Sequence, residues 1–272
     1  MTGSGSDAVF VGSIPEFYDE YMVPLIFATY AEDLARRVAG LAPSRVLEIA
    51  AGTGVVTRVA AGMLPESVEL VVTDLNQAML DQAEAIGTSR PVRWQQADAL
   101  DLPFETASFD VVYCQFGAMF FPDKGRGFAE MRRVLRPGGT LVFNVWDRLA
   151  DNEFADTVNA TLAEVYPADP PQLMARTPHG YFDLEAIAKD LAAGGFTSTP
   201  HCETITARSL APSAEVAAIA YCQGTPLRAE IAARATPDLA TATAACTTAL
   251  THRFGPGPID GKIQAHVITI EN

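Results

Sequence analysis

Arg45-Val46-Leu47-Glu48-Ile49-Ala50-Ala51-Gly52-Thr53-Gly54 is a short apolar run that holds one acid and closes on a glycine-rich turn. Desolvating an unpaired carboxylate is strongly unfavourable, so Glu48 inside a buried strand requires a cation or hydrogen-bond donors. Gly52 and Gly54 carry no Cβ and let a ligand approach the backbone closely as the chain turns from strand into helix. The stretch reads as half of a nucleotide-like pocket.

On the N-terminal side, Phe17, Tyr21, Leu25, Ala28, Leu34 and Val38 recur at helical spacings interrupted by Pro24, which predicts two short helices. On the C-terminal side, β-branched runs alternate with longer helical patterns, the signature of parallel strands joined by crossover helices. Strands are expected at 45–50, 68–74, 92–96, 109–114 and 140–145. The helices between them start near Thr53, at Asn76 (a suitable N-cap) and at Asp123, and Arg136-Pro137-Gly138-Gly139 turns the chain into the fifth strand. Residues 148–180 read as helical with a proline-rich loop, 183–193 as helix, 197–207 as a sixth strand, 210–250 as alanine-rich helix and 262–270 as a final strand. The first 13 residues contain Gly-Ser-Gly-Ser and little core material, and are expected to be a flexible tail.

Composition narrows the partners. With 49% hydrophobic and 19% charged residues the 272-residue chain is an ordinary globular protein, and a formal net charge of -14 argues against nucleic acid as a partner. Cys114, Cys202, Cys222 and Cys246 form no CxxC pair, so neither a metal site nor a disulfide framework is expected. No basic-plus-apolar leader and no apolar run of the roughly 18 residues a membrane span needs is present, which makes the cytoplasm the expected compartment.

Three ligand classes use a strand, a glycine turn and a helix. Nucleoside triphosphates need GxxxxGK and then Ser or Thr, which is absent; the dinucleotide fingerprint would need a third glycine at position 57, which is Thr57. A carboxylate at the turn suits a positively charged, phosphate-free ligand better than a pyrophosphate. S-adenosylmethionine has that character. Asp74 lies where an acid at the tip of the second strand accepts hydrogen bonds from ribose hydroxyls.

The chain resembles a class I S-adenosylmethionine-dependent methyltransferase of the small-molecule branch that includes quinone-biosynthesis C-methyltransferases. The resemblance rests on Glu48-x-Ala50-x-Gly52-x-Gly54, Asp74, Ala97-Asp98-Ala99, Ser108-Phe109-Asp110-Val111-Val112 and Arg132-Arg133-Val134-Leu135-Arg136-Pro137-Gly138-Gly139, in order across residues 44–147. Ala50 departs from the glycine many members carry. The resemblance implies an α/β, doubly wound, Rossmann-like sheet of seven mostly parallel strands with an antiparallel last strand, plus helical cover insertions. It divides the chain into an N-terminal helical cover at 14–42, a cofactor-binding core at 43–147, a helical insertion at 148–181, a helix and strand at 182–209, a second insertion at 210–258 and the last strand at 259–272.

It also implies residue roles. Glu48 supports the methionine end of the cofactor, directly or through neighbours; Ala50, Gly52, Thr53 and Gly54 admit it, with Thr53 also able to cap the helix. Asp74 takes the ribose, Leu75 and Met79 flank the adenine, and Ala97, Asp98 and Ala99 meet its edge. Gln115 and Phe116 face the methionine and the transferable methyl, and Tyr21 reaches over the pocket. Phe116, Met119, Phe120 and Phe121 either line an acceptor pocket or belong to the core. In-line methyl transfer needs a base only if the acceptor loses a proton, and by position Tyr18, Tyr21, His179 and Tyr181 are the residues that could serve. The implied acceptor is a small, at least partly hydrophobic organic molecule. An NAD(P)-dependent oxidoreductase and a cofactor-binding protein without turnover are the other readings.

Overall fold

Seven strands share one sheet in the order β3-β2-β1-β4-β5-β7-β6. They are β1 (Arg45–Glu48), β2 (Glu69–Asp74), β3 (Arg93–Gln96), β4 (Phe109–Gln115), β5 (Leu135–Trp146), β6 (His201–Ala211) and β7 (Ile259–Glu271). The computed structural model describes residues 7, 8, 10, 14–234 and 236–272; the rest of the expected tail lies outside the described residues. Pairing from β3 through to β5 is parallel, and β7 runs antiparallel to both β5 and β6. The doubly wound sheet with an antiparallel last strand is therefore present.

Side-chain alternation builds a core on each face, as a sheet covered on both sides requires. Val46, Val72, Val111 and Val142 meet Ala31, Leu34 and Val38 of helix Ala28–Gly40 on one face. Their neighbours Leu47, Val112 and Phe143 meet Phe128, Met131 and Val134 of helix Lys124–Val134 on the other. Helices Glu153–Val165, Ala214–Gln223 and Leu239–Phe254 pack on one another beyond the sheet edge, and the segment Tyr18–Phe27 packs against the second of them.

Three local expectations are corrected. Pro24 does not break the N-terminal helix: residues 14–40 run on through a wide, π-helical segment, Tyr18–Phe27. The wider turn moves the proline ring off the carbonyl it would strike in an α-helix. The sixth strand begins at His201 rather than Thr197, because Pro200 has no N-H for the ladder. Arg136–Gly139 bulges within β5 instead of preceding it: Leu135 already pairs with Phe109, and pairing resumes at Thr140 opposite Val111. The chain's last residue secures the bulge, with Gly138 N donating to the Asn272 carbonyl at 2.9 Å and Asn272 N to the Gly139 carbonyl at 2.9 Å.

Candidate functional site

From β1 the chain winds outward to β2 and β3, then returns to β4 on the other side of β1. Such a reversal opens a crevice at the carboxyl ends of the two strands. Here the crevice is a cleft of about 210 Å³. Backbone geometry at its floor is unusual: Ala50 (φ 54°) and Phe116 (φ 51°) are left-handed without being glycine, alongside Gly52 at 57°. Non-glycine residues held there mark a backbone that its surroundings over-determine, a condition that clusters at ligand sites.

Asp74 is the polar centre of the cleft. Its Oδ2 accepts from Gly52 N at 2.8 Å, and its Oδ1 accepts from Asn76 N at 2.8 Å and more distantly from Asn76 Nδ2 at 3.4 Å. Burial pushes its carboxyl above the ordinary value, opposed by these donors. The carboxylate joins the glycine turn to the next helix and keeps lone pairs for a ligand. Leu75, Met79, Ala97, Asp98 and Ala99 line the same cleft, with Asp98 exposed and its Oδ1 accepting from Leu100 N at 2.9 Å. Across from them Gln115 donates weakly from Nε2 to the Phe27 carbonyl at 3.4 Å, while its buried Oε1 has no partner among the described residues. An orphaned acceptor is costly to bury, so this atom asks for a donor from a ligand.

Ala50, Gly52 and Phe116 also line the cleft. Four expected contacts do not. Glu48 lies beneath it, 1% exposed, its Oε2 accepting from Thr57 Oγ1 at 2.6 Å and Tyr113 OH at 2.7 Å. The buried acid has found donors rather than a ligand, and Thr57, where a dinucleotide fingerprint has glycine, is one of them. Thr53 turns its hydroxyl to Asp19 Oδ1 at 2.8 Å instead of capping the helix. Gly54 is enclosed by Ala83 and Trp94, each 3.2 Å from where a Cβ would sit. Tyr21 stacks on Phe17 with ring centroids 5.6 Å apart.

Sequence reasoning missed Gly117. A Cβ there would lie 2.5 Å from Ala50 Cβ and 2.6 Å from Cys114 Sγ. The methyl that Ala50 adds at a family glycine position thus requires that Gly117 have none. Gly117→Ala is expected to destabilise the fold by about 1–3 kcal/mol, and Ala50→Gly in that background to recover part of the loss, read by chemical denaturation of the four proteins in the cycle.

The tail was also missed. Asn76 does not use its side chain as a cap: its Nδ2 donates to the Ala8 carbonyl at 3.0 Å and its Oδ1 accepts from Phe10 N at 3.3 Å. Asp7 is held by Arg176 Nε and Nη2 at 2.9 and 2.6 Å and by Thr177 Oγ1 at 2.5 Å. Ala8 and Phe10 of the tail therefore line the cleft.

A second, apolar cavity of about 70 Å³, rich in aromatic side chains, adjoins the first. Phe10, Tyr18, Phe116 and Phe120 are common to both, and the Phe116 ring stacks on Trp146 at 3.8 Å. Met119 and His179 line the second cavity, whereas Phe121 lines the first. Burial and the charges of Asp74 and Asp19 push the Tyr18 phenol well up, so it stays protonated. Tyr181 lines neither cavity; its hydroxyl donates to Asp190 Oδ2 at 2.7 Å. Among the described residues there is no cluster of His, Cys, Asp or Glu able to hold a metal, and no helix long and apolar enough to cross a membrane.

A family model described as a methyltransferase domain matches residues 47–143. Residues 47–143 are thus similar to a methyltransferase domain. The match spans β1 to β5 and so contains most of the cleft wall. The chain is 39% identical over 126 residues to the ubiquinone/menaquinone biosynthesis C-methyltransferase UbiE of Idiomarina loihiensis, covering 45% of this chain and 47% of the relative. It is 44% identical over 117 residues to the demethylmenaquinone methyltransferase of Deinococcus radiodurans, covering 42% and 46%. The chain thus spans about half the length of these relatives. In fold it resembles the YcgJ protein of Bacillus subtilis, with a TM-score of 0.58 and 19% identity over 90% of this chain and 98% of that one.

Proposed function

We propose that the protein transfers the methyl group of S-adenosylmethionine to a small, at least partly hydrophobic organic acceptor. The observation that carries this reading is the pairing of a cleft centred on Asp74 with an adjoining aromatic cavity, the two sharing Tyr18 and Phe116 as walls. One compartment suits a cofactor and the other an acceptor, with a common wall where the two would meet.

The residues present fit the cofactor. The free lone pairs of Asp74 would take the ribose hydroxyls, Leu75 and Met79 the faces of the adenine, and Asp98 with the Ala99 N-H its edge. The orphaned Oε1 of Gln115 would accept from the methionine ammonium. Glu48, enclosed under the turn, acts through its neighbours and not by contact. When bound, the cofactor supplies an electrophilic methyl on a sulfonium; the chain's task is alignment and exclusion of water, and Ala8 and Phe10 of the tail, which line the cleft, serve the latter.

The quinone-biosynthesis relatives suggest a ring-bearing acceptor, and the aromatic lining of the second cavity suits one. Titration with S-adenosylhomocysteine in a calorimeter tests the reading: saturable binding is expected, and its absence would refute the proposal. No observation favours an oxidoreductase. A second cavity beside the cleft gives an acceptor a place to bind, which favours turnover over cofactor binding alone.

A further inference from the structure

The second cavity is almost wholly apolar, and its polar atoms are few enough to assign. His179 is 6% exposed and follows the short helix Leu173–Arg176, to which its backbone N is tied at the Met174 carbonyl at 2.9 Å. Its Nδ1 lies 2.9 Å from the backbone carbonyl of Asp147. A carbonyl can only accept, so Nδ1 carries the proton and Nε2 presents a lone pair. That Nε2 has no partner among the described residues, in a ring that lines the cavity beside Trp146.

The Asp147 carboxylate is occupied elsewhere, by Gln264 Nε2 at 2.6 Å, Arg148 N at 2.7 Å and His266 Nε2 at 3.3 Å. It orients the imidazole through its main chain only. Burial pushes the His179 imidazole down to about 4, so it is neutral and available across the physiological range. The remaining polar lining groups are hydroxyls. Thr225 Oγ1 is bonded to the Tyr221 carbonyl at 3.0 Å and to Leu227 N at 3.2 Å. The phenols of Tyr18 and Tyr221 are pushed up by burial and stay protonated. Among the described lining residues His179 is thus the one side chain able to receive a proton.

We propose that His179 Nε2 is the catalytic base that removes a hydroxyl proton from an acceptor held in this cavity as the methyl is transferred. The inference rests on the methyltransferase reading above. The O-H bond breaks, its proton forms an N-H bond at Nε2, and its electron pair stays with the acceptor. That pair, at the oxygen or at an ortho carbon, bonds to the methyl carbon while the methyl-sulfur bond breaks with its pair left on sulfur. Where carbon attacks, the ring C-H proton then moves to the oxygen and restores the phenol. The imidazolium returns its proton to water as product leaves. Aromatic walls at Phe27, Phe116, Trp146 and Tyr221 select for a flat ring.

The test uses the full chain with 2-naphthol and naphthalene, which differ only in the hydroxyl. With S-adenosylhomocysteine saturating, 2-naphthol is expected to bind about ten-fold more tightly than naphthalene, the effect of one hydrogen bond. His179→Asn keeps an amide donor for the Asp147 carbonyl but has nothing at the Nε2 position. It should bind both probes equally, bind S-adenosylhomocysteine as the wild type does, and lower the kcat of methyl transfer to 2-naphthol about 100-fold or more. His179→Ala should regain turnover with added imidazole, which a merely structural histidine would not allow. Equal binding of the two probes by the wild type, wild-type turnover in His179→Asn, or tight 2-naphthol binding with no methylation would overturn the proposal. Failure of the wild type to bind S-adenosylhomocysteine is a separate result, and it would remove the methyltransferase reading itself.

Discussion

Asp74→Ala is expected to weaken S-adenosylhomocysteine binding by about 10- to 150-fold, the equivalent of one charge-assisted hydrogen bond of about 1.5–3 kcal/mol. The loss has two sources. The variant has no carboxylate for the ribose hydroxyls, and it frees the Gly52 and Asn76 N-H groups that Asp74 now holds at 2.8 Å. Asp74→Asn separates them, because it retains one acceptor oxygen and the side-chain shape; its affinity should fall between those of the wild type and Asp74→Ala. Calorimetry on variants whose thermal unfolding shows a folded protein reads the effect. Wild-type affinity in folded Asp74→Ala would remove Asp74 from the site.

Glu48→Gln should act on stability and its pH dependence. Burial lifts the Glu48 carboxyl from an ordinary value of 4.5 to about 7, against the opposing donation of Thr57 and Tyr113. The folded state therefore holds this proton more tightly than the unfolded one. Its contribution to stability is fully present below about pH 4.5 and is lost as pH rises through about 7, a change of about 3 kcal/mol by linkage. Glutamine does not titrate, so the stability of the wild type relative to Glu48→Gln should fall by about that amount between pH 4.5 and pH 8. Urea unfolding of both proteins across this window measures it, and parallel profiles would show that folding does not raise the Glu48 pKa.

Much of the cleft was legible because its signals are local. The run from Arg45 to Gly54, the acid at Asp74 and the Asp98 step each combine a strand end with a small or acidic residue within a few positions. The sheet they imply brings most of them to one cleft. The destination of Glu48 was half legible: burial demanded a partner, but Tyr113 is 65 residues away and Thr57 had been weighed only as a missing glycine. Pro24 misled because an α-helical rule was applied to a wider turn. Asn76 misled because its cap position is real while its side chain serves residues 66 and 68 positions earlier. The second cavity had no readable pattern, since Phe10, Met22, Trp146, Met174, His179 and Tyr221 come from separate segments with no shared period.

The split between local and assembled compartments has a consequence for how such a chain can diversify. Outside the four shared residues, the cofactor cleft draws mainly on positions 49–122, and the second cavity mainly on the N-terminal helix and on segments after Trp146. Exchanging the segments around Leu173–His179 or Tyr221–Pro226 would reshape the second cavity while the cleft at Asp74 stays intact, which under the proposed function gives a repertoire of acceptors on a constant donor. The four shared residues Phe10, Tyr18, Phe116 and Phe120 stand apart from that freedom. A change at any of them is felt in both chambers, so under the proposed function these four positions are where a new acceptor preference would come coupled to altered cofactor affinity.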